Sequence, residues 1–143
     1  MLGKPTQMSP IRAADPIYDW FMGCDQQWLQ DLNDDMATYS HDHGLYLPPI
    51  NQGHWTEQAL QSEVDRPWQL ADSTVGLSPG AISQVADALR DVSRDDLRQL
   101  LNGVPASWPV TTEQLEGVGW FLERRAPAVA GRIEQLVSEP PRV

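Results

Sequence analysis

The stretch "YSHDHGLYLPP" brings together residue types that can do chemistry. It holds two of the chain's three histidines, His41 and His43, with Asp42 between them and Gly44 directly after. Imidazole and carboxylate groups bind metal ions such as zinc, and an aspartate in a glycine-containing turn can hold magnesium against phosphate groups. A third interpretation is an ordinary hydrogen-bonded polar turn. The rest of the sequence has to decide among these three.

A metal site held chiefly by histidines would start from His41 and His43, because side chains two residues apart on a strand point to the same face. His54 would add a third imidazole and Asp42 a carboxylate. No HExxH helix accompanies them, and histidine-rich turns are more often hydrogen-bonded loops than ligand sets. The histidines alone therefore favour a polar turn.

Nucleophilic catalysis has little support in the sequence. The single cysteine, Cys24, follows an apolar segment, where a small cysteine is usually a packing residue. No serine stands in a G-x-S-x-G nucleophile elbow. One cysteine also excludes an intramolecular disulfide and a thiolate zinc cluster.

Two aspartates, Asp25 and Asp42, suit phosphate chemistry. Phosphoryl transfer needs one aspartate to orient the attacking hydroxyl and accept its proton, and a second to hold magnesium against the nucleotide. Asp25 opens "DQQWLQ", Gln30 supplies an amide five residues later, and Asp42 closes an expected strand. Because the chain has 20 acidic residues, this spacing is weak support on its own.

The segment "IYDWFMGCDQQWLQDL", followed by "TYSHDHGLYLP", resembles the catalytic segment of the HipA-like serine/threonine kinases. In that family a helix leads into a catalytic loop, and a strand then delivers a metal-binding aspartate before a glycine. The resemblance covers residues 15–137 and includes "LEGVGWFLERR" in the helical C-terminal region. It implies a helical kinase C-lobe that uses ATP and Mg²⁺ to phosphorylate a protein hydroxyl.

Carried over by position, the resemblance makes Asp25 the catalytic aspartate and Asp42 the magnesium-binding aspartate. Gln30 stands where the family has a metal-binding asparagine, and its longer side chain moves the amide oxygen by one bond length. The residues that would shape the metal turn and hydrogen-bond around it are His41, His43 and Gly44.

The sequence departs from a complete kinase before the catalytic segment. No glycine-rich loop and no strand with a V-A-I-K-like lysine precede it, and Lys4 is the only lysine. Because such enzymes act by positioning and charge stabilisation, we expect catalysis only if a partner chain or a missing N-lobe completes the nucleotide site. The alternative is a non-catalytic, pseudokinase-like module that binds another protein as an inhibitor or regulator.

The charge of the chain restricts its partners. A net charge of −10 and an isoelectric point near 4.5 disfavour direct binding of nucleic acid or of an anionic membrane surface. No apolar run approaches the roughly 20 residues of a membrane span, and the N-terminus lacks the apolar region of a signal peptide. We therefore expect a cytoplasmic protein with protein partners.

The expected fold class is mainly α with a small β-hairpin (α+β). Residues 1–14 are predicted as an extended lead-in, 15–137 as one helical domain and 138–143 as a frayed tail. A first helix is predicted with Asp15 as its N-cap, Pro16 at its first position and a stop at Gly23. A short helical turn is expected over 27–32, a short strand over 36–40, and a hairpin within 36–48.

Helix signals dominate the C-terminal half. The predicted N-cap residues are Thr56, Ser78, Ser93 and Thr111. The last two pair with Asp96 and Gln114 in capping boxes. An apolar stripe from Leu115 to Leu136 predicts a long helix, interrupted near Pro127 because proline lacks the backbone N–H.

Overall fold

A computed structural model of the chain describes residues 15–25, 27–35, 37–68 and 78–138. Within these ranges the chain forms five helices and one two-stranded sheet. In chain order they are α1 (Asp15–Phe21), β1 (Gln27–Asp31), β2 (Ala37–His41), α2 (Glu57–Glu63), α3 (Pro79–Asp91), α4 (Arg94–Leu101) and α5 (Thr112–Ser138). The prediction of a mainly α fold with a small hairpin is confirmed. The lead-in 1–14 and the tail beyond 138 lie outside the described residues.

The hairpin differs in position from the prediction. The expected strand over 36–40 is confirmed as β2, but the helical turn expected over 27–32 was wrong, because this segment is β1. The hairpin therefore spans 27–41 instead of lying within 36–48. In the sheet, Gln27 lies opposite His41 and Asp31 opposite Ala37. Cross-strand pairing with the β-forming "ATYSH" outweighs the weak helical preference of "QWLQD".

Local capping sets the helix starts. The four predicted N-cap residues, Thr56, Ser78, Ser93 and Thr111, all lie directly before a helix. The first two accept a hydrogen bond from the backbone N–H three residues later. The other two form the predicted reciprocal capping boxes with Asp96 and Gln114. These boxes satisfy backbone donors that a helix leaves unpaired at its first turn.

The predicted interruption near Pro127 was wrong, since α5 runs without a break from Thr112 to Ser138. A proline inside a helix costs about 3 kcal/mol through its missing hydrogen bond and its ring. The Pro127 ring points to solvent, while Ala126, Val129 and Ala130 beside it are buried. Packing of that buried face holds the helix together across the proline.

Helix α5 carries both parts of the core. Its second half packs against α3 through one buried cluster: Ile82, Ala86, Leu89, Ala126, Val129, Ala130 and Ile133. Its first half packs against α2, α4 and the C-terminal end of α1. This second cluster consists of Met22, Leu60, Val64, Leu97, Val118, Phe121 and Leu122. Trp20 of α1 contacts both clusters. The helix that leads into the hairpin is therefore packed against both parts of the core through Trp20.

Candidate functional site

Two aspartates meet at the open end of the hairpin. Asp25 lies two residues before β1, and Asp42 directly follows β2. The side-chain amide nitrogen of Gln27, Nε2, donates to Asp25 Oδ2 at 2.8 Å and to Asp42 Oδ2 at 3.3 Å. Because one nitrogen contacts both, these two carboxylate oxygens lie within about 6 Å of each other. The structure thus brings together the two aspartates that the sequence singled out.

Both aspartates have left-handed backbone conformations. The φ angle is 55° at Asp25 and 58° at Asp42. Among non-glycine residues, aspartate and asparagine tolerate this region best, because their short polar side chains can form local hydrogen bonds. The chain thus turns sharply just before β1 and just after β2. The same conformation recurs at Met22, Leu47 and Asn51, so it indicates tight turns in this part of the chain.

Gly23 allows the chain to leave α1 toward Asp25. Its N–H donates to the carbonyl of Tyr18 at 2.8 Å. A Cβ atom at this position would lie 2.7 Å from the Tyr18 ring and 2.9 Å from the Tyr46 ring, so only glycine fits between them. After β2, the N–H of Leu47 donates to the carbonyl of Phe21 at 3.0 Å. The segment before β1 and the segment after β2 are therefore both held against the C-terminal end of α1.

A buried ion pair fixes α1 itself. The side chains of Asp19 and Arg125 are fully buried and meet at 2.8 Å, and Arg132 donates to the second Asp19 oxygen at 2.7 Å. Burial lowers the pKa of Arg125 to about 10, so the guanidinium still carries its charge at neutral pH. Arg125 also donates to the backbone carbonyls of Asp19, Trp20, Glu63, Val64 and Arg66. This one side chain holds α1, α5 and the segment after α2 together.

The loop after α2 extends this support to the site. The N–H of Trp68 donates to the Asp19 carboxylate at 2.8 Å, and its indole N–H donates to the carbonyl of Gly23 at 2.9 Å. Sequence reasoning missed Asp19 and Arg125. The available signal was Asp19 inside the apolar segment "IYDWFM" and Arg125 directly before the apolar run "APAVA", since charges at core positions require a partner.

Gln27, and not Gln30, lies between the two aspartates. Gln30 is opposite Thr38 in the sheet, three residues along β1 from Gln27, which is about 10 Å of strand. Because strand side chains alternate, Gln30 is on the opposite face of the hairpin from Gln27. The sequence interpretation missed Gln27, although its spacing of two residues from Asp25 was visible.

The histidines have different settings: His41 and His43 flank Asp42 in the chain, and His54 lines a cleft together with His43. His41 ends β2, and the His43 ring contacts the Tyr46 ring edge-on with centroids 4.8 Å apart. His54 lies 3.2 Å from the carbonyl of Gln52. A cleft of about 470 Å³ is lined by His43, His54 and mostly apolar or aromatic residues. In the part of the chain that the structure describes, no three His, Cys, Asp or Glu side chains are grouped to hold a metal.

Gly44 and Cys24 flank the aspartates. A Cβ atom on Gly44 would lie 3.7 Å from Asp42 Oδ1, an ordinary contact distance. Cys24 is buried, and burial raises the pKa of its thiol, with a further increase from the Asp25 carboxylate. A thiol that resists ionisation is a poor nucleophile, which fits a packing residue.

The site offers a negatively charged pair of oxygen ligands. Among the described residues, no arginine or histidine forms an ion pair with Asp25 or Asp42. Carboxylate and amide oxygens are the ligands that Mg²⁺ prefers in proteins. The arrangement is therefore able to attract a hard divalent cation.

No family model matches the chain, and neither a curated protein nor a solved structure is significantly similar to it. None of the helices in the described ranges is long and apolar enough to cross a membrane. Function has to be inferred from the residues and their geometry.

Proposed function

We propose that this chain is a HipA-like kinase lobe that binds Mg²⁺ and ATP at the open end of the hairpin. The observation that carries the proposal is the Gln27 bridge, which joins Asp25 and Asp42. In a phosphoryl-transfer site, one carboxylate acts on the attacking hydroxyl and a nearby one binds the metal. The substrate would be a serine or threonine hydroxyl of a protein, once a partner chain or a further segment covers the nucleotide.

Each residue has a defined role in this proposal. Asp25 orients the attacking hydroxyl and accepts its proton, and Asp42 holds the cation. Gln27 completes the metal shell if its amide rotates and presents Oε1 instead of Nε2. When bound, ATP would supply the phosphoryl group and Mg²⁺ would neutralise its charge. The carboxylate oxygens of Asp25 and Asp42, with Gln27 Oε1 after that rotation, are of the ligand type that this cation prefers.

Calorimetric titration of the full chain with ATP and MgCl₂ tests the proposal. We expect saturable, magnesium-dependent binding that Asp42→Asn abolishes. Asp34→Asn is the matched control, since it removes one exposed charge from the same hairpin outside the site. No binding at millimolar nucleotide, or equal losses in the two variants, would show that the aspartate pair does not bind nucleotide.

A non-catalytic interaction module is the second candidate. The observation that favours it is an exposed apolar pair on the hairpin, Leu29 opposite Tyr39. A kinase-like lobe without nucleotide binding would still use such a surface to engage another protein. Absence of nucleotide binding in the titration would favour this second function.

A further inference from the structure

The turn half of the hairpin exposes apolar side chains. Leu29 and Tyr39 lie directly opposite each other and are 55% and 52% exposed, and Leu32 in the turn is 77% exposed. Opposing residues of an antiparallel pair lie on the same face of the sheet. We define the hairpin tip as Leu29, Asp31, Leu32, Asp34, Asp35 and Tyr39. It presents apolar groups to solvent without a partner in the described structure.

The backbone of the hairpin is also open to further pairing. Its sheet has two strands within the described residues, and the contacts of β1 and β2 are chiefly with each other, whereas the helices pack on one another. A lone two-stranded hairpin is marginally stable in water. Its unpaired N–H and C=O groups form a template on which an extended segment can add as a third strand.

Charge selects the kind of segment that can bind. Residues 13–65 contain ten Asp and Glu and no Lys or Arg. In the described structure, Asp31, Asp34 and Asp35 of the hairpin tip form no ion pair with an arginine. A second copy of this chain, a nucleic acid and an anionic membrane would all be repelled, while a cationic polypeptide would be attracted.

We propose that the hairpin tip binds an extended, basic segment of another protein, which adds to the sheet as a third strand. Its apolar side chains cover Leu29 and Tyr39, and its Lys or Arg side chains pair with the aspartates of the turn. The proposal does not depend on phosphoryl transfer, because the hairpin tip excludes Asp25 and Asp42. It specifies a partner chemistry for either candidate function.

Backbone amide NMR on the ¹⁵N-labelled full chain tests this proposal with a synthetic alternating Lys–Val peptide as the probe. The peptide that alternates Glu and Val is its charge-reversed control. We expect shift changes confined to 27–41 with the lysine peptide and none with the glutamate peptide. Raising the salt from about 0.05 M to about 0.3 M should weaken binding several-fold, because exposed charges are screened.

Variants of the hairpin tip, compared with matched variants on α3 and α4, test whether the peptide binds at the hairpin tip. The pair Leu29→Ser and Tyr39→Ser should weaken peptide binding about tenfold through lost apolar burial. Leu100→Ser is the matched control, because Leu100 is 73% exposed on α4. Asp34→Asn with Asp35→Asn should weaken binding more than Asp87→Asn with Asp91→Asn, which remove equal charge from α3.

Three results would overturn the proposal: equal binding of the two peptides, shift changes centred outside the hairpin, or equal losses in the matched variant pairs. Shift changes on dilution without peptide would indicate self-association instead. Nucleotide titration of the Leu29→Ser, Tyr39→Ser variant keeps the two proposals apart. Unchanged ATP binding in that variant would show that the hairpin tip and the aspartate pair act independently.

Discussion

At the scale of single residues, Gln27 controls how close Asp25 and Asp42 remain. Two ionised carboxylates repel each other, and the Gln27 amide offsets this repulsion by donating one hydrogen to each. Since an amide has donors on one side and an acceptor on the other, a half-turn of the group would present an oxygen to a bound cation. The same side chain therefore suits the site with and without Mg²⁺.

Replacing each glutamine in turn tests which one serves the site. We expect Gln27→Ala to lower the affinity for Mg²⁺ and ATP about tenfold, because it removes the amide oxygen that would complete the metal shell. Gln30→Ala should leave the affinity unchanged, because Gln30 lies on the other face of the hairpin. Calorimetry measures both. A larger loss in Gln30→Ala would favour the role that the HipA-like resemblance gives to that residue.

At the scale of elements, one arginine determines where α1 lies. Arg125 on α5 binds the Asp19 carboxylate on α1 and several carbonyls of neighbouring segments, and it is shielded from water. A buried charge is tolerated only when its partners are in place. Arg125 and its partners thus orient the helix that leads directly into Gly23 and Asp25. The site depends on a helix-packing contact far from it in sequence.

Substitutions of Arg125 and of its neighbour Arg124 provide a matched test of the buried ion pair. Arg125→Met should lower the free energy of unfolding by about 3–5 kcal/mol, because it removes one partner of a buried pair. Arg124→Met should lower it far less, because Arg124 pairs with Asp65 at the surface, where solvent screens the charges. Urea unfolding followed by circular dichroism measures both changes. Similar midpoints for the two variants would show that the buried pair does not hold α1.

The distance along the chain between contacting residues explains which elements could be predicted from the sequence. Helix starts depend on contacts within four residues, so Thr56, Ser78, Ser93 and Thr111 were visible as caps. Strand β1 depends on pairing with a partner ten residues away, and a local pattern does not reveal such pairing. The continuity of α5 through Pro127 likewise depends on packing against other helices. Asp25 and Asp42 were identified by type and order, whereas the Gln27 bridge required the hairpin register.

At the scale of the whole molecule, charge is divided unevenly along the chain. The arginines that form ion pairs in the described structure all lie at or beyond Arg66. They neutralise acidic groups on the helical body, including Asp19 and Asp65, and none of the arginines in the described ranges pairs with an aspartate of the hairpin. The body is therefore held by ion pairs while the hairpin remains strongly negative. Cations are therefore attracted chiefly to the hairpin, which is the one sheet of the described structure.

The ion pairs of the helical body make stability depend on pH. Among the described residues, three carboxyl groups have lowered pKa values: Asp65 through hydrogen bonding to Arg124, Asp96 through hydrogen bonding to Ser93, and Glu134 through hydrogen bonding to Arg90. A carboxyl with a lower pKa in the folded state than in the unfolded state stabilises the fold above its unfolded value. That contribution is lost as the pH falls through the folded pKa.

We therefore expect the thermal midpoint to fall as the pH is lowered from about 5 to about 3, around the ordinary values of Asp and Glu. Acid also reduces the net charge of −10, which lessens repulsion and acts in the opposite direction. The double variant Arg90→Gln, Arg124→Gln isolates the ion pairs, because it leaves the Asp96 capping box intact. Its midpoint should fall less steeply over this range in scanning calorimetry. An equal slope would mean that these surface pairs do not contribute, and that the acid sensitivity arises elsewhere in the body.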